Sequence, residues 1–293
     1  MIILFIIKGA IFLNYKILTY EDYNDIVDIS KNIWDGHDYL PKIFHKWVDE
    51  KEGCFLGLVK DNKIVAVGKY TILPDKQGWL EGLRVHIDYR GQQLAHAISD
   101  MLFNLAREDL KNKKIINIAM CTHIDTQASI KMMESKNFHL EQSCLIIFKD
   151  YKFVKNSNLS MSDFKIEAWE ISYEDFKNLD YFKTCNNKLT YGFTFLNLCE
   201  TIYNDLVESN SLVIVNGHKC IVKMKGCPSI ICIDNTFEGI NDATNYYLLK
   251  YKSKEAEIYI TNPYDELIDK LKNNNFESMS NFEKDCVYYV YSN

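Results

Sequence analysis

A short polar turn between a predicted strand and a predicted helix carries residue types that suit an anionic ligand. The segment LRVHIDYRGQQLAHAISDML, residues 83–102, begins with a strand-like pattern and ends with a helical one. The N-terminus of a helix offers unpaired N–H groups and the positive end of the helix dipole, which suit a phosphate. In the turn, Arg90 adds a cationic donor, Gly91 lets the main chain approach a ligand, and Ala95 is small. The segment therefore predicts an anion site, although Gln93 stands where a second glycine would be expected.

The bulk composition narrows the class of protein. The chain has 293 residues, of which 47% are hydrophobic, so it can form one large or two ordinary domains and is not a disordered chain. A formal net charge of −6 argues against general nucleic-acid binding. Nine cysteines are scattered along the chain, and the closest three, Cys220, Cys227 and Cys232, lack the spacing of a zinc site. We therefore expect no metal, and reduced thiols in a cytoplasmic protein.

The first half of the chain predicts a mixed α/β domain. Helices are predicted over residues 21–34, 38–50, 94–110 and 127–138, and strands over residues 15–20, 54–60, 63–73, 78–85, 114–120 and 143–149. Asp61 and Asn62 between two of these strands are typical of a hairpin turn. The polar turn thus lies between the third strand of a meander and the longest helix.

Part of the second half of the chain repeats the order of predicted elements found in the first half. Residues 117–148 and 257–291 share the order strand, polar turn, helix ending in Asn-Phe, polar connection and strand. This suggests two related domains, at 14–150 and 164–293, although strand–helix–strand units are common enough for the echo to arise by chance. A polar, aperiodic stretch predicts a linker at 151–163. The apolar residues 1–13 are too few to span a membrane, so we expect a leader or an extra strand and no stable membrane insertion.

The residues around the turn resemble the GNAT superfamily of acyl-CoA-dependent N-acetyltransferases. That family joins a strand ending in Leu-x-Val to a long helix through Arg-Gly-x-Gly-x-Gly/Ala. The positions that fit this frame are Leu83, Val85, Arg90, Gly91 and Ala95. The stretches DYLP..FH.W, residues 38–47, and EGLRV, residues 81–85, are more narrowly similar to vertebrate histidine N-acetyltransferase and its relatives. The resemblance implies an α/β fold (α+β, with a mixed sheet) in two tandem GNAT-like domains, the C-terminal one degenerate.

The same resemblance implies acetyl-CoA as the cosubstrate, without a metal. Main-chain N–H groups from Gln92 to Ala95 would bind the pyrophosphate, and those of Leu83 and Val85 would pair with the pantetheine arm like an added strand. Gln93 costs little if it adopts helical dihedral angles, because glutamine has a better helix propensity than glycine. The implied cofactor-binding residues are Leu83, Arg84, Val85, Arg90, Gly91, Gln92, Gln93, Leu94 and Ala95. Ser129 on a later helix is either a further contact of the cofactor arm or a small residue that allows helix packing.

Transfer of an acetyl group to an amine needs a base for the ammonium and a donor for the thioester carbonyl. Family members often carry a base glutamate on the strand before the turn. This implies Glu81 as the base and the Leu83 N–H as the polarising donor. A solvated or hydrogen-bonded structural glutamate is the alternative. Gly82 is expected to permit a bulge that opens the strand. Many members place a tyrosine acid where Met133 stands, so either water protonates the thiolate or it leaves unprotonated.

The acceptor is the least specified part of this hypothesis. The first helices of the family wall the acceptor pocket, so Tyr39 and His45 are predicted to line it, with a purely structural His45 as the alternative. We expect an N-acetyltransferase whose partner is a small-molecule amine, a free amino acid resembling histidine or another small amine. The alternative is a catalytically inactive CoA-binding or regulatory module, because Gln93 and Met133 depart from the family pattern. A membrane-associated role would depend on residues 1–13 alone.

Overall fold

The structure is a computed structural model that describes residues 2–4 and 13–292. The chain divides into two compact units: unit 1 comprises Met1–Met120 with Val290–Asn293, and unit 2 comprises Cys121–Tyr289. Of the predicted leader or extra strand at 1–13, residues 2–4 form a strand, whereas residues 1 and 5–12 lie outside the described residues. The sequence-based domain bounds stay a prediction, because compactness alone does not define a domain of a family. None of the helices in the described ranges is long and apolar enough to cross a membrane.

Unit 1 contains a mixed sheet with the strand order β1-β2-β3-β4-β5-β6. Its strands are β1 (Ile2–Leu4), β2 (Asn14–Ile17), β3 (Gly53–Lys60), β4 (Lys63–Ile72), β5 (Gln77–Val85) and β6 (Asn117–His123). Its helices are α1 (Tyr23–Ser30), α2 (Leu40–Asp49) and α3 (Leu94–Lys111). Neighbouring strands are antiparallel except β5 and β6, which are parallel. The predicted hairpin turn is present, with φ of 52° at Asp61 and 62° at Asn62, both in the left-handed region that suits a two-residue turn.

Helix α1 is shorter than the sequence predicted. It ends at Ser30, although the helical pattern extends to residue 34. Trp34, Asp35 and Gly36 have φ of 48°, 54° and 85°, and an α-helix cannot pass through three left-handed residues. This turn leaves the Trp34 side chain 59% exposed ahead of α2.

Unit 2 contains strands in the sheet order β16-β7-β14-β13-β12-β11-β8, with β15 paired to β7 and with both parallel and antiparallel pairs. Its strands are β7 (His139–Asp150), β8 (Ile166–Ala168), β9 (Lys188–Tyr191), β10 (Thr194–Asn197), β11 (Leu212–Val215), β12 (His218–Lys225), β13 (Cys227–Cys232), β14 (Glu255–Ile260), β15 (Phe276–Ser278) and β16 (Cys286–Tyr291). Its helices are α4 (Gln127–Glu134), α5 (Tyr151–Lys155), α6 (Tyr173–Lys177), α7 (Asp180–Thr184), α8 (Glu200–Glu208), α9 (Phe237–Tyr251) and α10 (Asp265–Asn273). Strands β9 and β10 form a separate hairpin. Both units therefore have the mixed α/β character that the sequence predicted.

The internal echo has a matching backbone geometry. After α4, Asn137 has φ of 66°, and after α10, Asn275 has φ of 63°. Asparagine tolerates this left-handed conformation, which ends a helix. The residues that follow, Phe138 and Phe276, are both buried, at 4% and 3% exposure. The two Asn-Phe pairs therefore serve the same local purpose, which is to stop a helix and anchor the next strand.

The predicted linker contains ordered secondary structure. Helix α5 begins after Asp150, whose carboxylate accepts the N–H of Lys152 at 2.7 Å. Val154 on this helix is 2% exposed and belongs to the apolar core of unit 2. The stretch is therefore packed on unit 2 through at least this side chain.

Lys149 on β7 is a buried cation without a carboxylate partner in the described residues. Its Nζ donates to Asn241 Oδ1 at 3.0 Å and lies 4.6 Å from the centre of the Phe276 ring, and the residue is 6% exposed. Burial lowers the pKa of the Lys149 ammonium from 10.5 to about 8. Because the unfolded chain holds this proton up to higher pH, the cost of burying the charge is fully present below pH 8 and disappears as the pH rises towards 10.5.

Lys149→Met is therefore expected to stabilise the protein at neutral pH. We expect a gain of about 2 kcal/mol in the free energy of unfolding, after allowance for the lost hydrogen bond. The gain should shrink in urea titrations as the pH rises above 8. Lys155→Met, at an exposed position of α5, is the matched control and should show neither effect. A gain that does not change with pH would contradict the assigned cause.

Candidate functional site

Strand β5 carries the predicted bulge at Gly82. Lys69 of β4 is paired with Glu81 and Val67 with Arg84, so one β4 residue lies opposite two β5 residues. Gly82 has φ of 69°, the left-handed glycine typical of this kind of bulge. A Cβ at Gly82 would lie 2.5 Å from the Trp47 ring, so α2 packs directly on the bulge. The bulge interrupts the β4–β5 ladder at the point where Glu81 and Leu83 are presented.

The opposite edge of β5 separates from β6. The parallel pairing joins residues 77–79 of β5 to residues 117–119 of β6, and β5 then continues to Val85. We call residues 80–85 the open edge of β5, because within the described part of unit 1 they pair with no strand on this side. Two carbonyl groups of this stretch accept from arginine side chains: Leu83 from Arg84 at 3.1 Å, and Val85 from Arg90 at 3.5 Å.

The open edge leads to the turn before α3. Gly91 has φ of 79°, and a Cβ built there would meet no atom within 4 Å, so the space above the turn is open. Residues 90–93 are exposed, and α3 begins at Leu94. The first turn of a helix leaves main-chain N–H groups without helical acceptors, and the side chain of the N-cap residue Gln93 caps none of those of α3. Gln92 bends back to accept from Lys60 Nζ at 2.6 Å through its side-chain oxygen.

The backbone conformation of Gln93 differs from the helical one considered from the sequence. The sequence allowed a low cost at this position if Gln93 were helical, but it has φ of 59° and ψ of 17°, in the left-handed region. A residue with a Cβ pays about 1–2 kcal/mol for this conformation, which is why glycine is favoured there. The helix propensity of glutamine is therefore irrelevant at this site. The exposed side chain nevertheless leaves the main-chain path of the turn intact.

Glu81 lies beside a network of polar groups on β4. Thr71 Oγ1 donates to Glu81 Oε1 at 3.0 Å, which orients the carboxylate. The cross-strand neighbour of Glu81 is Lys69, which is 1% exposed and forms an ion pair with Glu50 at 2.7 Å. The Lys69 Nζ also lies 5.7 Å from the centre of the Trp47 ring. Thr71 thus fixes the position of one oxygen of the Glu81 carboxylate beside the bulge.

Arg84 is fixed by a buried carboxylate. Its Nε and Nη2 donate to the two oxygens of Asp38, each at 3.0 Å, and the Asp38 side chain is fully buried. Asp38 also accepts the N–H of Leu40 at the start of α2, at 3.2 Å. Burial lowers the pKa of Arg84, but the hydrogen bonds and charge of Asp38 together with the Tyr39 hydroxyl outweigh it, so the pKa of Arg84 is raised. The pair thus ties α2 to β5.

Two aromatic rings complete this corner of unit 1. The Arg84 guanidinium carbon lies 4.9 Å from the centre of the Trp34 ring and 5.3 Å from that of Tyr39. The two rings are stacked with centres 5.9 Å apart, and Tyr39 also meets Trp47 edge-on. Burial raises the pKa of the Tyr39 hydroxyl, against the lowering effect of Arg84. The result is an aromatic wall, formed by Trp34 and Tyr39, next to the cationic face of Arg84.

Most of the residues selected from the sequence lie together in unit 1. Glu81, Leu83, Arg84 and Val85 lie on β5, the turn 90–95 follows it, and Tyr39 contacts Arg84. His45 has another environment: it is exposed on α2 and its ring meets Tyr20 and Tyr23, each with centres 5.0 Å apart. Ser129 lies half-buried on α4 in unit 2, and Met133 on the same helix is 4% exposed. The individual binding and catalytic roles of all these residues stay predictions.

Sequence reasoning overlooked two residues of this site. Asp38 and Trp47 both lie within the quoted stretch DYLP..FH.W, yet only Tyr39 and His45 were selected from it. The spacing of Leu40, Phe44 and Trp47 places all three on the buried face of α2, so helical periodicity could have found Trp47. Nothing in the spacing identifies the Asp38 partner, which lies 46 residues away.

Metal chemistry finds no support in the described residues. Across residues 2–4 and 13–292, no three His, Cys, Asp or Glu side chains are grouped so that they could hold a metal ion.

Comparison with known proteins assigns this site to a family. The acetyltransferase (GNAT) family matches residues 20–138, which include α1, α2, the bulge, the open edge and the turn. Residues 20–138 form a GNAT acetyltransferase domain. A histidine N-acetyltransferase from Oreochromis niloticus is 25% identical over 158 residues, or 53% of this chain and 44% of that protein. One from Xenopus tropicalis is 24% identical over 128 residues, or 43% of this chain and 38% of that protein. The chain thus matches less than half the length of these relatives.

Solved structures extend the fold comparison to the whole chain. A GCN5-related N-acetyltransferase from Sphaerobacter thermophilus has a TM-score of 0.59 at 9% identity, with 95% of each chain covered. A tandem GNAT protein from the clavulanic acid biosynthesis pathway has a TM-score of 0.57 at 9% identity, with 96% of this chain and 98% of that chain covered. The predicted fold class, a mixed α/β GNAT fold in tandem, is confirmed.

The second GNAT-like unit lacks the turn found in the first. In unit 2 the connection between β13 and α9, residues 233–236, contains no glycine and no arginine. The hydroxyl of Thr236 accepts the N–H of Gly239 at 3.2 Å and so caps α9. A helix start that is closed by its own side chain has lost one of the donors that an anion would use.

Proposed function

We propose that the protein is an acetyl-CoA-dependent N-acetyltransferase that acetylates the amino group of a free amino acid resembling histidine, in the cytoplasm. The single observation that carries this proposal is the open edge of β5, which begins at a left-handed bulge and leads to the uncapped turn before α3. This arrangement offers a strand edge for an extended arm and helix N–H groups for a phosphate in one continuous path.

The residues of this path fit acetyl-CoA. Because the Leu83 and Val85 carbonyls face arginine side chains rather than β4, the N–H groups of the same residues face the open edge as well. The Val85 N–H can pair with an amide carbonyl of the pantetheine arm, and the Leu83 N–H can donate at the acetyl end of the same arm. The N–H groups of Gln92 to Ala95 can take the pyrophosphate, with Arg90 as an exposed cationic contact. Acetyl-CoA supplies the activated acetyl group as a thioester.

The chain provides a base and a polarising donor. An α-amino group has a pKa of about 8, so a carboxylate acting directly or through water can remove its proton. Glu81, whose Oε1 accepts from Thr71 Oγ1 at 3.0 Å, is the proposed base. The Leu83 N–H lies one residue beyond the bulge, where it can donate to the thioester carbonyl oxygen as negative charge develops. With Met133 at the position of the usual acid, the thiolate leaves unprotonated or takes a proton from water; a thiol pKa of about 8.5 permits this near neutral pH.

The acceptor proposal depends on two kinds of support. The curated relatives are named for histidine acetylation, at 24–25% identity. The aromatic wall of Trp34 and Tyr39 beside Arg84 suits a flat side chain, which can stack on it.

A thiol-release assay tests the proposal. Purified protein is mixed with acetyl-CoA and, in turn, each proteinogenic amino acid, common polyamines and short peptides. We expect release of free CoA thiol with histidine or another free amino acid, and N-acetyl product by mass spectrometry. The alternative, a catalytically inactive CoA-binding or regulatory module, is favoured by the strained Gln93 and by Met133. It predicts CoA binding in calorimetry without thiol release from any of these amines.

Gln93 offers a direct test of the turn. Gln93→Gly should remove the left-handed strain and raise the free energy of unfolding by up to about 1 kcal/mol, since glycine's larger unfolded-state entropy offsets part of the gain. It should also tighten CoA binding, because no side chain remains beside the phosphates. Gln93→Ala keeps the strain and removes most of the side chain, so it should tighten binding without stabilising the protein. Weaker CoA binding by both variants, in calorimetry, would mean that the Gln93 side chain is itself a contact.

A further inference from the structure

Unit 2 contains a small polar cavity that the proposed acetyl transfer does not use. Its volume is about 300 Å³. The wall is formed by the start of β7, the end of β14, the residues after α7 and Lys284, all within unit 2. This volume is at the lower end of the range for small-molecule sites, which suits a ligand of about the size of an amino acid.

The Gln142 side chain in the cavity wall lacks hydrogen-bond partners in the part of the chain that the structure describes. The residue is 9% exposed, and neither its side-chain oxygen nor its nitrogen has a hydrogen-bond partner among the described residues. A buried polar group without a partner costs about 1–3 kcal/mol. An apolar side chain of similar size would avoid this cost. A molecule in the cavity that offers both a donor and an acceptor would remove it.

Two side chains of opposite charge line the same cavity. Lys284 is exposed and forms no ion pair with any described residue. Glu141 is half-buried, and its Oε1 receives Lys188 Nζ at 2.7 Å. Lys188 is 5% exposed and also donates to Asn197 at 2.9 Å, so it is held in place. The second oxygen of Glu141 therefore stays available to a cation in the cavity.

We propose that this cavity binds a free amino acid in its zwitterionic form. Lys284 pairs with the ligand carboxylate, Glu141 with the ligand ammonium, and the Gln142 amide hydrogen-bonds to both poles. A free amino acid supplies one anionic and one cationic group within a volume that fits the cavity. An amine without a carboxylate gives Lys284 no anionic partner, and an N-acylated amino acid without an ammonium gives the second oxygen of Glu141 no cationic partner. The site is a binding site separate from β5, and it stands whether or not unit 1 transfers acetyl groups.

Hydrogen–deuterium exchange with mass spectrometry tests this on the full chain. Each proteinogenic amino acid is added at millimolar concentration, and peptides covering residues 184–187 and 261–264 are followed. At least one amino acid should slow exchange in both peptides. Its N-acetyl derivative and its decarboxylated amine should bind at least about tenfold more weakly, as expected when a charged hydrogen bond is lost. Because exchange is localised along the chain, protection at the unit 2 cavity is distinguished from protection around residues 81–95.

Two variants complete the test. Gln142→Leu should abolish the protection while keeping or raising the melting temperature, because it removes the unsatisfied amide. Lys284→Met changes an exposed side chain, so it should fold normally and lose affinity for the carboxylate. Lys155→Met is the matched control and should leave the protection unchanged. The proposal is overturned if no amino acid protects the two peptides, if the decarboxylated amine protects them equally, or if both cavity variants keep the protection.

Discussion

Glu81→Gln should lower kcat for the best amino-acid acceptor by at least about a hundredfold, the usual effect of a positioned base. Glutamine has the shape of glutamate and can still accept from Thr71, so the local fold should persist. Because Glu81 is not among the residues proposed to bind the cofactor, the Kd for CoA should not change. Steady-state thiol release and calorimetry measure the two quantities.

Two further variants test whether Glu81 is the catalytic base or a structural residue. Thr71→Val removes the hydroxyl that stabilises the ionised carboxylate, so it should move the acidic limb of the kcat/KM profile to higher pH. Glu108→Gln on α3 removes an exposed carboxylate far along the helix and should leave the rate and the pH profile unchanged. Full activity in Glu81→Gln would return Glu81 to the structural role that the sequence left open.

Asp38→Ala should be the most destabilising of the substitutions considered. It leaves the Arg84 guanidinium, whose side chain is 12% exposed, without its bidentate partner, and it removes the acceptor of the Leu40 N–H. Loss of one partner of a buried ion pair costs about 3–5 kcal/mol, which should appear in the free energy of unfolding from urea titration. The matched control is Glu108→Ala, which should change stability by less than about 0.5 kcal/mol.

A double variant identifies the cause of the stability loss expected in Asp38→Ala. If the loss comes from the unpaired charge, Asp38→Leu combined with Arg84→Met should recover much of the stability, because both charges are then gone. If the loss comes from the start of α2, the double variant should stay as unstable as Asp38→Ala. Recovery of stability without recovery of kcat would show that Asp38 or Arg84 is needed for activity apart from its contribution to stability.

The sequence predicted the elements of this fold whose signals lie within a few contiguous residues. The start of α3 at Leu94, the hairpin at Asp61-Asn62 and the bulge at Gly82 follow from periodicity and from residues that tolerate positive φ. The early end of α1 could not be predicted in the same way. Trp34 has no preference for the left-handed region, so nothing in the local sequence indicates its φ of 48°.

In the candidate site, too, features set by contiguous residues were predicted and contacts between distant segments were not. The family frame located β5 and the turn because those residues are contiguous in the sequence. Contacts that join distant segments were not visible: Asp38 with Arg84, Lys69 with Glu50, and the pairing of β5 with β6 that stops at Trp79. Each depends on the register of strands and on the angle at which α2 crosses them. The dihedral angles of Gln93 were also beyond prediction, because glutamine's own preference points to the helical region instead.

The exposure of Trp34 gives the protein a built-in optical reporter. The chain has four tryptophans, and Trp47, Trp79 and Trp169 are 7%, 3% and 6% exposed, whereas Trp34 is 59% exposed. Aqueous quenchers such as iodide should therefore reach the Trp34 indole first and dim the red edge of the emission band. Any molecule that stacks on the ring beside Arg84 should shield it from the quencher, so occupancy of that corner can be followed by fluorescence without a label.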